Sequence, residues 1–528
     1  MKILSFKPGH DGCSAFVRDG VLQFSHEAEK DSAARYAALD PSSMVGALQE
    51  VSSAPDVIAI SGWEEKRGGV SRSIGSGYIG LQVPPATAVT IFDQSTTLFS
   101  SSHERSHIMC AYALSPFPQG TACYALVWEG HIGRFYHVDE ALNIQLLRDV
   151  MWGPGIRYAF AYGLMDPSFK LQPGAVRLSD AGKLMALAAY CDHINPTPEE
   201  QRLVDVLLSR PDEIPKFVKA DFQEFSQHNC GVTSNAGKRL ARLISDAIYK
   251  HFESAIRDCV IQRAPLLISG GCGLNCEWNS ALEDSGMFSD VFVPPCANDS
   301  GSAIGTAADA QFHLTGSAKI KWSVYSGPAF VLDELEHADF HLTPATPCEI
   351  AKHLHAGAIL GWANGNAEIG PRALGNRSIL ASPSNRGTLE RINRLKRREG
   401  FRPIAPICRE EEVSEHFLPA TPSPYMLHFR RVLGTHLPAV THVDGSARVQ
   451  TLSIEQNPAL HEVLCEFRKL SGFGVLCNTS LNFNGTGFIN RASDLARFAL
   501  DVGLDGFVVG RSLYMRKQDA TLTPRDQP

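Results

Sequence analysis

Ile3-Leu4-Ser5-Phe6-Lys7-Pro8-Gly9-His10-Asp11-Gly12-Cys13-Ser14-Ala15-Phe16-Val17-Arg18-Asp19-Gly20-Val21-Leu22-Gln23-Phe24 is the stretch that decides the fold. Apolar residues alternate over Ile3–Phe6, stop at Pro8–Gly12, resume at Ala15–Val17, stop at Arg18-Asp19-Gly20 and resume at Val21. Alternation punctuated by Gly-rich polar clusters predicts three strands, joined by a polar first turn and an Asp-Gly second turn.

Two more landmarks lie further along. Pro265–Ser269 reads as a strand that enters Gly270-Gly271-Cys272-Gly273-Leu274-Asn275, with a helix starting near Glu277. A Gly-rich turn between strand and helix lets backbone N–H groups approach a phosphate or a ribose. Val291–Val293 reads as another strand, followed by Asn298-Asp299-Ser300-Gly301 and an Ala-rich helix. Loops at the carboxyl ends of strands are where open α/β sheets place ligands. Residues 318–350 carry Pro-containing turns and no long periodic segment, which sets the expected boundary between a first domain, 1–340, and a second, 350–528. No internal repeat or low-complexity tract is visible.

Composition narrows the class. The chain has 528 residues, 44% hydrophobic and 20% charged, and its 44 Gly and 31 Pro are near the globular averages of about 7% and 5%. Disordered and fibrous classes are excluded, and the length suits more than one domain. No apolar run approaches the roughly 18–20 residues of a membrane helix, and the start, Met1–Lys7, does not read as a secretory leader; the expectation is a cytoplasmic protein. The 13 Cys include no C-x-x-C pair, the nearest pair being Cys272 and Cys276, and they read as reduced thiols. Residues 351–528 carry 22 Lys+Arg against 16 Asp+Glu, whereas residues 1–350 carry 27 against 40. An acidic first part argues against a nucleic-acid partner. The basic second part, with cations crowded at 391–402, suits a small polyanion, although a solvated helix face would leave the same charge run.

His103-Glu104-Arg105-Ser106-His107 falls in an expected helix, Ser102–Leu114, with Ser102 as N-cap. Histidines at i and i+4 share a helix face and can reach one cation. Two imidazoles plus carboxylates suit a first-row transition metal better than calcium. Glu129, after the strand Tyr124–Trp128, and Asp299 stand at strand ends from which a carboxylate can converge on the histidines; two surface histidines are the competing reading. In the second part, Gly370–Arg377 and Lys396–Pro403 set cations beside Gly/Pro-shaped backbone, where guanidinium forks and a Lys ammonium bind phosphate. Val443–Arg448 adds another Arg. Cys477-Asn478-Thr479-Ser480-Leu481-Asn482 presents amide and hydroxyl groups after the strand Gly474–Leu476.

These motifs, together with Gly9–Gly12, Lys183–Ala188, Phe401-Arg402-Pro403 and His442–Thr451, resemble in fixed order the O-carbamoyltransferases of antibiotic and nodulation-factor biosynthesis. The resemblance implies an α/β protein. Its N-terminal half would have an actin-like ATPase fold similar to the universal tRNA-threonylcarbamoylation protein, and its C-terminal half a YrdC-like α/β domain. It also implies the reaction: carbamoyl phosphate and ATP give carbamoyl adenylate, whose carbamoyl group passes to a hydroxyl of a small natural product such as a hydroxymethyl-cephem. By resemblance, Arg372, Arg377, Lys396, Arg398 and Arg402 would neutralise the triphosphate. Arg448, Asn478, Ser480 and Asn482 would hold carbamoyl phosphate and the α-phosphate region. Gly270, Gly271 and Asn275 would hold the adenylate, and His103, His107, Asp299 and Glu129 a divalent transition metal, Fe(II) ahead of Mn(II) or another ion, with ATP entering as its Mg(II) complex. His10 would deprotonate or position the acceptor. Family members often carry Asp at the position of Glu129, and Gly485-Thr486-Gly487 replaces their usual Gly-Glu-Pro. The expected partners are small molecules, with neither nucleic acid nor membrane, and a homodimer is left open. A tRNA threonylcarbamoyl transferase-like enzyme and an actin-fold small-molecule kinase are the alternatives; the second gives the Arg-rich part no task.

Overall fold

In the computed structural model, which describes residues 1–67, 70–91, 93–170, 172–335 and 338–517, the opening meander is three antiparallel strands, Lys2–Lys7, Cys13–Arg18 and Val21–Glu27. Lys2–Lys7 continues the sheet in parallel with Val57–Ser61, which pairs in parallel with Gln94–Ser101. Thr87–Ile91 completes the six-stranded sheet.

A second sheet repeats this plan. Cys123–Trp128, Gly133–Val138 and Ile144–Asp149 form an antiparallel meander, and Cys123–Trp128 pairs in parallel with Leu266–Ser269, itself parallel to Val291–Phe292. The topology is therefore duplicated although the sequence shows no repeat. Alternation and turn positions fix strand order, and many unrelated side chains satisfy both.

Between the sheets run two helices. Ser302–Thr315 packs on the first sheet, His103–Leu114 on the second, and each on the other. Their close crossing depends on Gly305, where a Cβ would lie 1.9 Å from the Ser106 carbonyl oxygen. Every residue of His103–Leu114 is buried, so the two histidines are not a solvated surface pair. Helices Pro154–Met165, Asp180–Ala188, Pro198–Leu208 and Asn235–Arg257 cover the second sheet over a core that includes Trp128, Phe135 and Trp278.

An eight-stranded sheet dominates the remainder, in the order Phe340–Pro344, Ser512–Arg516, Gly506–Val509, Leu360–Ala363, Arg377–Ala381, Val475–Ser480, Ala405–Arg409, Gln450–Leu452. Its edge strand begins at Phe340, and helix Pro347–His355 follows at once, so this sheet already draws on residues expected to be linker. A second difference concerns Asn478, Thr479 and Ser480. They were expected beyond a strand, yet they lie inside Val475–Ser480, with Asn478 opposite Leu380 and Ser480 opposite Ser378. The 13 cysteines are all free thiols. Among the described residues no helix is long and apolar enough to cross a membrane.

Candidate active site

Ser102 Oγ accepts the Arg105 N–H at 3.0 Å, which starts the helix at His103 and stacks His107 one turn above it. The Nε2 atoms of the two rings approach to 3.2 Å. Glu129, one residue past its strand, brings Oε2 to 3.1 Å from His103 Nε2 and 3.4 Å from His107 Nε2. Asp299, in the loop ahead of helix Ser302–Thr315, brings Oδ1 to 3.6 and 3.4 Å from the same atoms. All four side chains are buried.

These separations fit a shared cation. Donors about 2.1 Å from one centre stand about 3.4 Å apart in a tetrahedron and about 3.0 Å apart at adjacent octahedral positions. His103 Nδ1 is buried without a hydrogen-bond partner, while His107 Nδ1 meets Ser269 Oγ at 2.9 Å. Electrostatics agree with a site built for positive charge. Burial opposes ionisation of Glu129 and of Asp299, but the histidines, and at Asp299 Lys7 before them, hold both carboxyls well below the usual range. Burial also opposes protonation of His107, yet hydrogen bonds that its ring donates to Asp299 and Glu129 lift it to about 9; burial lowers His103.

Around this cluster stand residues of the first sheet and its loops. Lys7 Nζ meets Asp299 Oδ2 at 2.8 Å and also bonds the His10 carbonyl. His10 is 42% exposed, the most open side chain here, with Nδ1 3.3 Å from Asp11 Oδ2 and 3.6 Å from Asp299 Oδ2. Burial lowers its pKa, and Asp299 and Asp11 more than reverse this, so the net direction is upward. Trp63 packs edgewise on His10 and His103, and Tyr78 stacks on His103 with ring centroids 4.4 Å apart.

The Gly-rich loop continues the site. Gly270 has φ +93°, and a Cβ there would lie 2.3 Å from the Trp128 carbonyl oxygen, so only glycine fits beside Glu129. At Gly271 an added Cβ meets nothing within 4 Å, leaving open space over the turn. Asn275 Oδ1 caps the following helix at Glu277 N (3.1 Å), while its Nδ2 is buried and unpartnered.

On the other side of this loop lies a cationic cluster. Arg372 Nη2 donates to the Leu274 carbonyl at 3.0 Å. Arg35, Arg372, Lys396, Arg398, Arg402 and Arg448 act on one another electrostatically. Arg372 Nε, Arg398 Nη2 and Arg448 Nε are sealed from solvent without a partner. Burial and neighbouring cations lower Arg372 and Arg398 to about 9 and put Lys396 well below the usual lysine range. Lys396 Nζ donates to Asn482 Oδ1 at 2.7 Å and to Ser480 Oγ at 3.2 Å, tying the polar run to the cluster. Glu29 pairs with Arg35 at 3.2 Å and Glu399 with Arg402 at 3.7 Å; the cations left over from these pairs are what a bound polyphosphate would satisfy.

Two expected binders have their donors spent within the protein. Arg377 is fully buried, and its guanidinium donates to the carbonyls of Asn364, Gly365 and Asn376 and to Asn490 Oδ1. It fastens a loop and has no donor to spare for a triphosphate. Asn478 is buried too, its Nδ2 spent on the Ala373 carbonyl and Gln450 Oε1. Conversely, sequence reasoning missed Arg35 and Tyr78, single residues in loops with no motif around them.

The carbamoyltransferase N-terminus model matches residues 86–308 and the carbamoyltransferase C-terminus model residues 351–516. The chain is 44% identical over 520 residues to the 3'-hydroxymethylcephem-O-carbamoyltransferase of Amycolatopsis lactamdurans, covering 98% of this chain and 100% of that one. It is 44% identical over 518 residues to the enzyme of the same name from Streptomyces clavuligerus, covering 98% and 99%. Nodulation protein U of Rhizobium tropici is 35% identical over 93% of each chain. This chain belongs to the carbamoyltransferase family. It is an enzyme, an O-carbamoyltransferase. In this carbamoyltransferase the buried His/His/Glu/Asp cluster and the Arg/Lys cluster flank one Gly-rich loop.

Proposed function

We propose that this carbamoyltransferase activates the carbamoyl group as an adenylate in its cationic cluster and transfers it to an alcohol at the histidine–carboxylate cluster. The observation that carries the reading is the contact between Arg372 and Leu274, which sets the two clusters on either side of one phosphate-approachable turn. Carbamoyl phosphate and water would give carbamate and phosphate; carbamate oxygen would then attack the α-phosphorus of ATP, releasing pyrophosphate. Arg35, Arg372, Lys396, Arg398, Arg402 and Arg448 would neutralise charge on the phosphates, with Ser480 and Asn482 orienting Lys396. The adenylate would lie along Gly270-Gly271, near Asn275 Nδ2.

In the second step the acceptor hydroxyl attacks the carbamoyl carbon, AMP leaves and the hydroxyl proton is taken up. His10, open to solvent and close to Asp11 and Asp299, would accept that proton. His103, His107, Glu129 and Asp299 would hold a divalent transition metal such as Fe(II), which supplies Lewis acidity toward the carbamoyl oxygen or the leaving phosphate. The duplicated sheets, with helices between them, support an actin-like ATPase fold for the first part, up to about residue 340, and the eight-stranded sheet, which begins at Phe340, would form a YrdC-like domain. The acceptor class proposed is the hydroxymethyl-cephem type, from the names of the 44%-identical relatives. Incubation with Mg(II)-ATP, carbamoyl phosphate and a panel of alcohols tests it: one alcohol should gain a single carbamoyl mass with stoichiometric AMP, and absence of AMP formation overturns the scheme.

A further inference from the structure

Glu129 has two carboxylate oxygens with different tasks. Oε2 faces both imidazole Nε2 atoms, at 3.1 and 3.4 Å. Oε1 accepts the Tyr78 hydroxyl at 2.5 Å. The Tyr78 ring meanwhile lies on the His103 ring, with 19° between their planes. One side chain thus touches two of the four members of the cluster, one through a hydrogen bond and one through its face.

Tyr78 is not free to leave. The Tyr78 carbonyl accepts the Glu104 N–H at 3.0 Å, and the Gly77 carbonyl accepts the His103 N–H at 3.1 Å. Gly80 N–H donates to Glu104 Oε2 at 2.6 Å, Arg105 Nη1 donates to the Leu81 carbonyl at 3.1 Å, and Ser102 Oγ bonds the Gly80 carbonyl. The loop is stapled to the first turn of the helix that carries both histidines. Whatever fixes that turn also fixes the Tyr78 hydroxyl.

We infer that Tyr78 is a positioning residue for the metal cluster: its hydroxyl holds Oε1 of Glu129 so that only Oε2 is offered to the cation, and its ring fixes the plane of His103. A glutamate is long enough to rotate at its terminal torsion, where conformations are broad. Tethering one oxygen removes that freedom before the cation arrives. Hydrogen bonds to the far atom of a ligand orient it and raise its affinity for the metal. Without the hydroxyl, a buried Oε1 would have no partner and the carboxylate would turn.

The inference rests on the metal site proposed above, and metal binding itself is the readout. Metal-stripped wild type, Tyr78→Phe and Tyr78→Leu are titrated with Co(II), following visible absorption and competition with a chelator. Wild type should bind one Co(II). Tyr78→Phe, which keeps the ring, should bind roughly 10–100-fold more weakly with an altered absorption band, and Tyr78→Leu more weakly still. The metal-free Phe variant should keep the wild-type circular-dichroism spectrum, with at most a modest fall in unfolding temperature from the unpaired Oε1. If wild type binds no Co(II), the metal site is wrong. If it binds one and Tyr78→Phe matches it within twofold with an unchanged spectrum, the positioning role is wrong.

Discussion

Arg372 Nη2 donates to the carbonyl of Leu274 across 3.0 Å, so a residue of the C-terminal half holds the Gly-rich turn of the N-terminal half. A cation of one cluster thereby closes on the loop that borders the other. The segment around Arg35 makes a second such junction from the opposite side. Arg35 N–H donates to the Gly485 carbonyl at 3.1 Å, and Gly487 N–H to the Ala33 carbonyl at 2.9 Å. The cationic cluster is built from both halves of the chain.

Arg35 should therefore matter to adenylate formation although it lies far from the other cations in sequence. Losing one charged hydrogen bond to a phosphate costs about 1.5–3 kcal/mol, so Arg35→Ala and Arg372→Ala should each raise the KM for ATP or carbamoyl phosphate in pyrophosphate release by roughly tenfold or more. Steady-state kinetics without any acceptor alcohol measures this. Unchanged constants in both variants would remove these residues from the site.

His103→Ala and His107→Ala should lose bound transition metal, because three donors remain in a buried cluster that needs four to fill a tetrahedral set. Carbamoyl transfer should fall with the metal, whereas carbamoyl-phosphate-dependent pyrophosphate release should persist. Elemental analysis alongside the two assays decides it. Full metal content in either variant would contradict the site.

Lys396 gives a pH dependence with a definite sign. Burial, then Arg398, Arg402 and Arg35, press its pKa well below the usual lysine range in the free enzyme. A phosphate beside it favours the ammonium form and raises that pKa, so binding takes up a proton in the window between the two values. ATP affinity should weaken as pH rises through that window. Calorimetry in buffers of different ionisation enthalpy should show proton uptake that Lys396→Arg removes; uptake of the same size in that variant would refute the assignment.

Arg377 should behave as a structural residue. Its replacement by Ala would remove a donor from the carbonyls of Asn364, Gly365 and Asn376 and both Arg377 donors from the buried Asn490 Oδ1, at a cost of about 1–3 kcal/mol. Denaturant unfolding should show the loss, and Arg377→Lys should not restore it, since one ammonium cannot serve so many fixed acceptors. An Arg377→Ala protein of wild-type stability with weakened ATP binding would reinstate it as a ligand.

How much was legible follows from the kind of signal each residue leaves. The three opening strands were readable because alternation and turn residues are local. His103 and His107 were readable because four residues is a helical turn, Glu129 because it directly follows a strand, and Asp299 because it lies in the loop after one. Their meeting was supplied by the crossing of two helices at Gly305, which no local pattern encodes. Arg377 was misjudged for a related reason. It sits two residues past Gly375 in an Arg- and Gly-rich run, but its place in the strand Arg377–Ala381 turns its side chain toward the carbonyls of the 364–365 loop. Arg35 and Tyr78 act through loops that approach from remote parts of the chain, and a lone Arg or Tyr in a loop leaves no pattern.

The last expectation concerns how the two steps communicate. Arg448→Ala should fail to make the adenylate, whereas His107→Ala should make it and fail to use it. Because Leu274 and Arg372 touch, an intermediate formed at the cationic cluster would start next to the Gly-rich loop, and transfer inside one molecule should outrun escape to water. A mixture of the two variants should thus regain little carbamoyl transfer, since the adenylate must leave one chain and enter another before it hydrolyses. Purified carbamoyl adenylate added directly should restore transfer to Arg448→Ala and not to His107→Ala. Product mass spectrometry over time distinguishes the cases. Restoration of neither variant would mean that free adenylate is not an intermediate, and efficient rescue by simple mixing would mean that the two clusters do not share one path.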